Sequence, residues 1–117
     1  MKTKTKAKKI KQDPLREFTQ EDMRLSPNKV IKDLSEVFKV SKANIAGRCR
    51  LESYVRPRHL MAKLLYDSGY SSTEVGRLMD RDHGNVLNSV TRANNMIETD
   101  RRIQVALRLL RGKGYRV

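Results

Sequence analysis

From residue 26 onward, apolar positions recur every three or four residues, and most runs begin beside a residue suited to capping a helix. Ser26-Pro27 forms an N-cap followed by proline at the first helical position. Val30, Leu34, Val37 and Phe38 then predict an amphipathic helix to about Val40. Ser41 suits the cap of a short second helix with Ala43, Ile45 and Ala46 as its small apolar face, ended by Gly47. Arg48 to Val55 has no clear period and is expected to be a loop. Pro57 disfavours helical backbone at Arg56, so the next helix is expected to begin at this point. Leu60, Met61, Leu64 and Leu65 supply its buried stripe, and Gly69 ends it.

The stretch from Ser71 to Ile97 organises the rest. Ser71 and Glu74 are spaced as a capping box, with Val75, Leu78 and Met79 on one face and Gly76 allowing a neighbouring helix close. Asp80-Arg81-Asp82 reads as a turn, with Asp82 capping a second helix. In that helix Val86, Val90, Ala93 and Ile97 form a core-facing stripe, and Asn85, Asn88, Arg92 and Asn95 lie opposite. Amides and guanidiniums pair bidentately with adenine and guanine edges in the major groove. A short capped helix, a tight turn and a longer helix with such a face is a helix-turn-helix pattern. Taken alone, it fits an αα-hairpin with a solvated polar face equally well. Thr99 or Asp100 then caps a last helix with Ile103, Ala106, Leu107 and Leu110 buried and Arg101, Arg102, Arg108 and Arg111 around them. The end at Gly112 and Gly114 is expected to fray. No strand alternation or hairpin signal occurs, so the expected fold is all-α, with about six helices.

Charge changes the picture. Within 117 residues, 26 Lys+Arg face 13 Asp+Glu, a formal net charge of +13. A compact chain this basic repels itself, and a polyanionic partner is the economical explanation. Residues 26–117 hold 18 basic and nine acidic residues, so the folded part is basic without its tail. Residues 1–25 are expected to be a disordered basic arm, serving either phosphate attraction or mere solvation. Pro14 to Leu25 is mixed and predicts no convincing helix. No apolar run is long enough for a membrane span or a signal core, so the expected location is the cytoplasm, at the nucleoid. One cysteine, Cys49, excludes an internal disulfide and shows no metal-ligand spacing. Few aromatics weaken any single-strand stacking platform. Arg56 and Arg58, at an expected helix N-terminus, oppose the dipole unless a phosphate sits there, which makes them phosphate-binding candidates.

Together, Arg56-Pro57-Arg58, Ser72-Thr73-Glu74-Val75-Gly76 and Arg81-Asp82-His83 with Val86-Leu87 resemble the C-terminal double-stranded-DNA-binding domain of the bacterial replication initiator DnaA. The resemblance covers roughly Ser26 to Leu110. It implies a Trp-repressor-like helix-turn-helix bundle over residues 26–117 that binds duplex DNA. Arg48 and Arg50 would lie in the family's minor-groove loop, with Arg50 as the inserted arginine. Arg58 and His59 match positions at the start of the long helix that meet DNA, and Ser72 and Thr73 match a backbone-contacting helix start. Asp82, His83, Gly84, Asn85 and Asn88 match the base-reading and supporting positions at the front of the recognition helix; Arg81, from the shared Arg81-Asp82-His83 motif, and Arg92, from the outer face, join them as DNA-binding candidates.

Three departures stand out. Gly84-Asn85 replaces the family's two threonines, so the preferred sequence is expected to move from the TTATNCACA-type box. The turn Met79-Asp80-Arg81 lacks the usual paired glycines. No G-x-x-x-x-G-K-[ST] loop occurs, so the AAA+ ATPase domain is expected to be missing. His59 and His83 lack a recognisable catalytic set, and Asp80 and Asp82 are simpler as turn and cap than as metal ligands; no enzyme, cofactor or metal is expected. The expected function is sequence-preferring binding of double-stranded DNA, as a replication or transcription regulator or a competitor at initiator sites. The alternatives are charge-driven RNA or nucleoid binding, and a protein-interaction module for a host initiator. With no heptad or large surface stripe, a monomer is expected.

Overall fold

The computed structural model describes residues 24–117. Six α-helices occur there and no strand: α1 Pro27–Phe38, α2 Lys42–Ala46, α3 Glu52–Asp67, α4 Ser72–Met79, α5 His83–Thr99 and α6 Arg101–Gly112. The described residues form an all-α helix-turn-helix bundle, as the periodicity predicts. Beyond Arg24 and Leu25, the basic arm of residues 1–25 lies outside the described residues.

The caps explain where the helices start. The Ser41 side chain accepts from the Asn44 N–H, and Ser71 and Glu74 close a full capping box. Asp82 accepts from Gly84 N–H, and Asp100 from Arg102 N–H. α1 ends at Phe38, earlier than Val40, because Lys39 turns left-handed (φ 57°).

α3 is the central element, packed against α1, α2, α4 and α5, while α6 closes against α1 and α5. Leu34, Ile45, Leu60, Leu65, Val75, Val86, Ile103 and Leu110 are fully buried between them. Burial of such side chains stabilises by roughly 1.5–3 kcal/mol each.

The structure corrects four expectations. α3 begins at Glu52 and carries Pro57 inside it. The Leu51 carbonyl accepts from Tyr54 and Val55 at 2.9 Å, and Glu52 pairs with Arg56 one turn on at 3.2 Å. Pro57 removes one helical hydrogen bond, but its ring is fully buried in the core. Leu78 is exposed rather than on the buried face of α4. Gly76 makes room for the turn rather than for a helix: a Cβ there would lie 2.5 Å from the Arg81 carbonyl oxygen. Finally, the C-terminal end docks. Tyr115 is buried and donates to Asp33 Oδ2 at 2.6 Å, with the Lys29 ammonium 4.6 Å from its ring centre.

Candidate nucleic-acid interface

Asp82 sets the register of α5. With its first turn capped, Val86, Val90 and Ala93 fall into the core, and Ile97 packs at its edge. The opposite side then follows from helical geometry. His83, Gly84, Asn85, Asn88, Arg92 and Asn95 are all exposed. The side chains of Asn85, Asn88 and Arg92 make no hydrogen bond or ion pair among the described residues. Their donors and acceptors are therefore available to an outside partner. Leu87, 44% exposed, and Thr91 extend this face. Both are additions to the sequence-predicted site, and Leu87 was legible in its place beside the Val86–Val90 stripe rather than on it.

The turn before α5 is built without glycine. Asp80 takes the left-handed conformation (φ 55°), which aspartate tolerates better than most residues. Arg81 N–H then donates to the Gly76 carbonyl at 2.7 Å.

The Gly47–Leu51 loop lies against this turn. Arg81 donates through Nη2 to the Gly47 carbonyl and through Nη1 to the carbonyls of Met79 (3.3 Å) and Asp80 (3.1 Å). Arg48 reaches the other way, donating to the carbonyl and the carboxylate of Asp80, each at 3.2 Å. Arg50 is exposed and has no partner among the described residues.

Arg58 is placed differently from its expected phosphate role. It is buried at 8% exposure and donates to the carbonyls of Ile45 (2.9 Å), Cys49 (2.8 Å) and Asn44 (2.8 Å). Burial, then the Arg81 charge, lowers its pKa, and burial and Arg48 do the same to Arg81. Arg56 is likewise engaged, with Glu52 at 3.2 Å and Asp100 at 2.7 Å. Since α3 starts at Glu52, neither arginine opposes a helix N-terminus, and the dipole argument for a phosphate there falls away.

His59 lies half-buried on α3, with Nδ1 enclosed and unpartnered. Burial pushes its pKa below the ordinary 6.5, and the Arg92 and Arg58 charges push it further, so its neutral form is favoured. His59 thus lies close enough to the α5 face to sense the charge of Arg92.

Ser72 and Thr73 open α4, half-buried and exposed respectively. The Glu74 carboxylate accepts from Ser71 N–H at 2.9 Å, a bond that holds its pKa below the usual range. Arg48, Arg50, Arg81, Asp82, His83, Gly84, Asn85, Asn88 and Arg92 thus belong to one assembly of loop, turn and helix. Among the described residues, no side-chain hydrogen bond joins Ser72 or Thr73 to it, and Arg56 and Arg58 serve the scaffold beneath it. Among the same residues, no cluster of His, Cys, Asp or Glu has the makings of a metal site, and no helix is long and apolar enough to cross a membrane.

Comparison with known proteins agrees with this architecture. The bacterial dnaA protein helix-turn-helix family matches residues 27–93, from the start of α1 to Ala93 in α5. A chromosomal replication initiator protein DnaA 1 from Chlamydia muridarum is 29% identical over 70% of this chain and 18% of its own length. The DnaA of Thermomicrobium roseum is 31% identical over 78% of this chain and 20% of its own length. That of Thermus thermophilus is 29% identical over 80% of this chain and 22% of its own. The chain spans about a fifth of the length of these relatives.

Proposed function

The chain belongs to the bacterial DnaA protein helix-turn-helix family, and from that premise we propose that it binds double-stranded DNA with sequence preference and acts in replication or transcription control at initiator-type sites, in the cytoplasm at the nucleoid. The observation that carries this is the outer face of α5. Asn85, Asn88 and Arg92 project from a capped, core-anchored helix with no intramolecular partner among the described residues. A solvated outer face would also be polar, but its setting here, on a basic chain of a DNA-binding family, favours a base-reading role. Amides pair with adenine and guanidiniums with guanine.

Arg50 supplies the second element. An unpaired guanidinium on a loop beside the recognition helix suits a narrow, negative minor groove. His83, Gly84 and Asp82 form the front of the helix, Ser72 and Thr73 offer hydroxyls to a phosphate, and Arg48 adds charge. Arg56 and Arg58 hold the scaffold. The chain acts as a binding module, with no cofactor and no catalytic step.

The test uses a duplex selected from a random library and a scrambled control. Asn85→Ala and Asn88→Ala should each weaken the selected duplex by ~1–3 kcal/mol and leave the control nearly unchanged. An equal loss on both duplexes would overturn sequence reading. It would favour charge-driven binding, which the net charge of +13 supports as the second reading.

A further inference from the structure

The Arg50 loop has little regular structure of its own, yet its backbone is gripped from two sides. Arg58, from α3, holds the Cys49 carbonyl within the loop and the Asn44 and Ile45 carbonyls of α2 just before it. Arg81, from the turn that begins α5, holds the carbonyl of Gly47. Arg48 crosses back from the loop to Asp80 in the turn. The hydrogen-bond partners of Arg58 and Arg81 are all backbone carbonyls, so no carboxylate among the described residues is bonded to either charge. A fork of fixed donors locks geometry in a way that a lysine ammonium does not.

We propose that Arg81 is a positioning residue for DNA reading: by joining the Gly47 carbonyl to those of Met79 and Asp80, it fixes the loop bearing Arg50 in register with the front of α5. The inference rests on the DNA-binding function proposed above. Its content is separate: Arg81 acts through Arg50 rather than on DNA directly. Two readout elements that meet one duplex gain from being held in one geometry beforehand, because the ordering is complete before binding. The geometry suits that role. Arg81 is half-buried between the two segments, whereas Arg50 and the α5 face are exposed. Charge adds to it: burial first, and then Arg48 for Arg81 and Arg81 for Arg58, disfavours the charged guanidiniums, with Asp80 offsetting part of this at Arg81, and a bound polyanion favours the charged forms.

The experiment is a double-variant cycle on the full chain, with Arg50→Ala, Arg81→Met and the pair, each titrated against the selected and scrambled duplexes at several salt concentrations. In the wild-type background, Arg50→Ala should weaken the selected duplex by about tenfold or more. In the Arg81→Met background the same change should cost less than about threefold, since the loop is already out of register. Arg81→Lys should behave like Arg81→Met, and neither should reduce the salt slope by the ~0.9 expected when one phosphate contact is removed. Additive losses, or rescue by Arg81→Lys with a slope change in Arg81→Met, would overturn the proposal and make Arg81 a direct phosphate contact. If thermal melting shows Arg81→Met unfolded, the Arg81→Lys cycle decides by the same criteria. A wild-type chain that binds no duplex in preference would remove the underlying function instead, and is read from the first titration alone.

Discussion

Arg56 Nε lies 2.7 Å from Asp100 Oδ2, and the other oxygen of the same carboxylate accepts from Arg102 N–H at 2.9 Å. One side chain therefore caps α6 and ties the α5–α6 junction to α3. Asp100→Ala should destabilise the fold by about 1–3 kcal/mol, combining a lost cap and a lost partly buried ion pair. Asp100→Asn keeps the cap and should lose less. Urea unfolding of both variants checks the order; equal losses would show that the cap contributes nothing.

Arg58 and Arg50 separate stability from binding. Arg58→Ala leaves three carbonyls without their guanidinium and should cost about 2–3 kcal/mol of stability. Arg58→Lys should recover only a minor part, because an ammonium cannot span all three. Arg50→Ala should leave the unfolding midpoint within the change expected of an exposed site, about 0.5 kcal/mol, and act on DNA affinity alone. Denaturant melts paired with binding titrations test this; a melt in which Arg58→Ala matches wild type would refute its structural role.

Gly76→Ala places a methyl 2.5 Å from the Arg81 carbonyl oxygen, which is backbone and cannot swing away. The turn must shift, at a cost of about 1–3 kcal/mol. Because the same turn seats Arg81 and starts α5, affinity for the selected duplex should fall as well. Thermal melting and titration together check both effects, and a variant as stable as wild type would contradict the close approach.

Acid should lower the stability of the protein over two pH ranges. His59 has a folded pKa below its ordinary 6.5, mainly through burial, with Arg92 and Arg58 adding to it and Glu52 opposing. The unfolded chain therefore takes the proton first, and stability falls as pH drops from about 6.5 toward the folded value. Burial pushes the Asp33 carboxyl up, but hydrogen bonds from Lys29 and Tyr115 outweigh it and hold the group below 3.8. Asp100 behaves alike, with Arg56 and the Arg102 N–H overcoming burial. Their stabilisation is present above about 3.8 and is lost as pH falls through the folded values. Unfolding midpoints from pH 8 to 3 should show both phases, and His59→Gln should erase the first. A first phase that persists in His59→Gln would assign it elsewhere.

The parts legible in the sequence are those with short-range causes. Ser71 with Glu74, Asp82 before α5 and the Val86–Val90–Ala93 stripe involve partners within a few residues, so spacing alone reveals them. The α5 face follows from that stripe. The parts that the local pattern leaves hidden have distant partners. Arg58 bonds back to Asn44, and Tyr115 to Asp33, 82 positions away. Nothing in the local pattern distinguishes such an arginine from one awaiting phosphate. The start of α3 is hidden because Pro57 looks like a first-turn residue, whereas burial of its ring and the bonds to the Leu51 carbonyl support a helix through it.

The most direct measurement is a fluorescence-anisotropy titration of the full chain against the selected duplex and a scrambled duplex of equal length and composition, over several salt concentrations. Sequence-preferring binding predicts that the selected duplex wins by ~10³-fold or more at physiological salt. A slope of log affinity against log salt of about −0.9 per phosphate neutralised would then count the backbone contacts. Equal affinity for the two duplexes at every salt concentration would contradict the account and leave a protein that coats nucleic acid by charge.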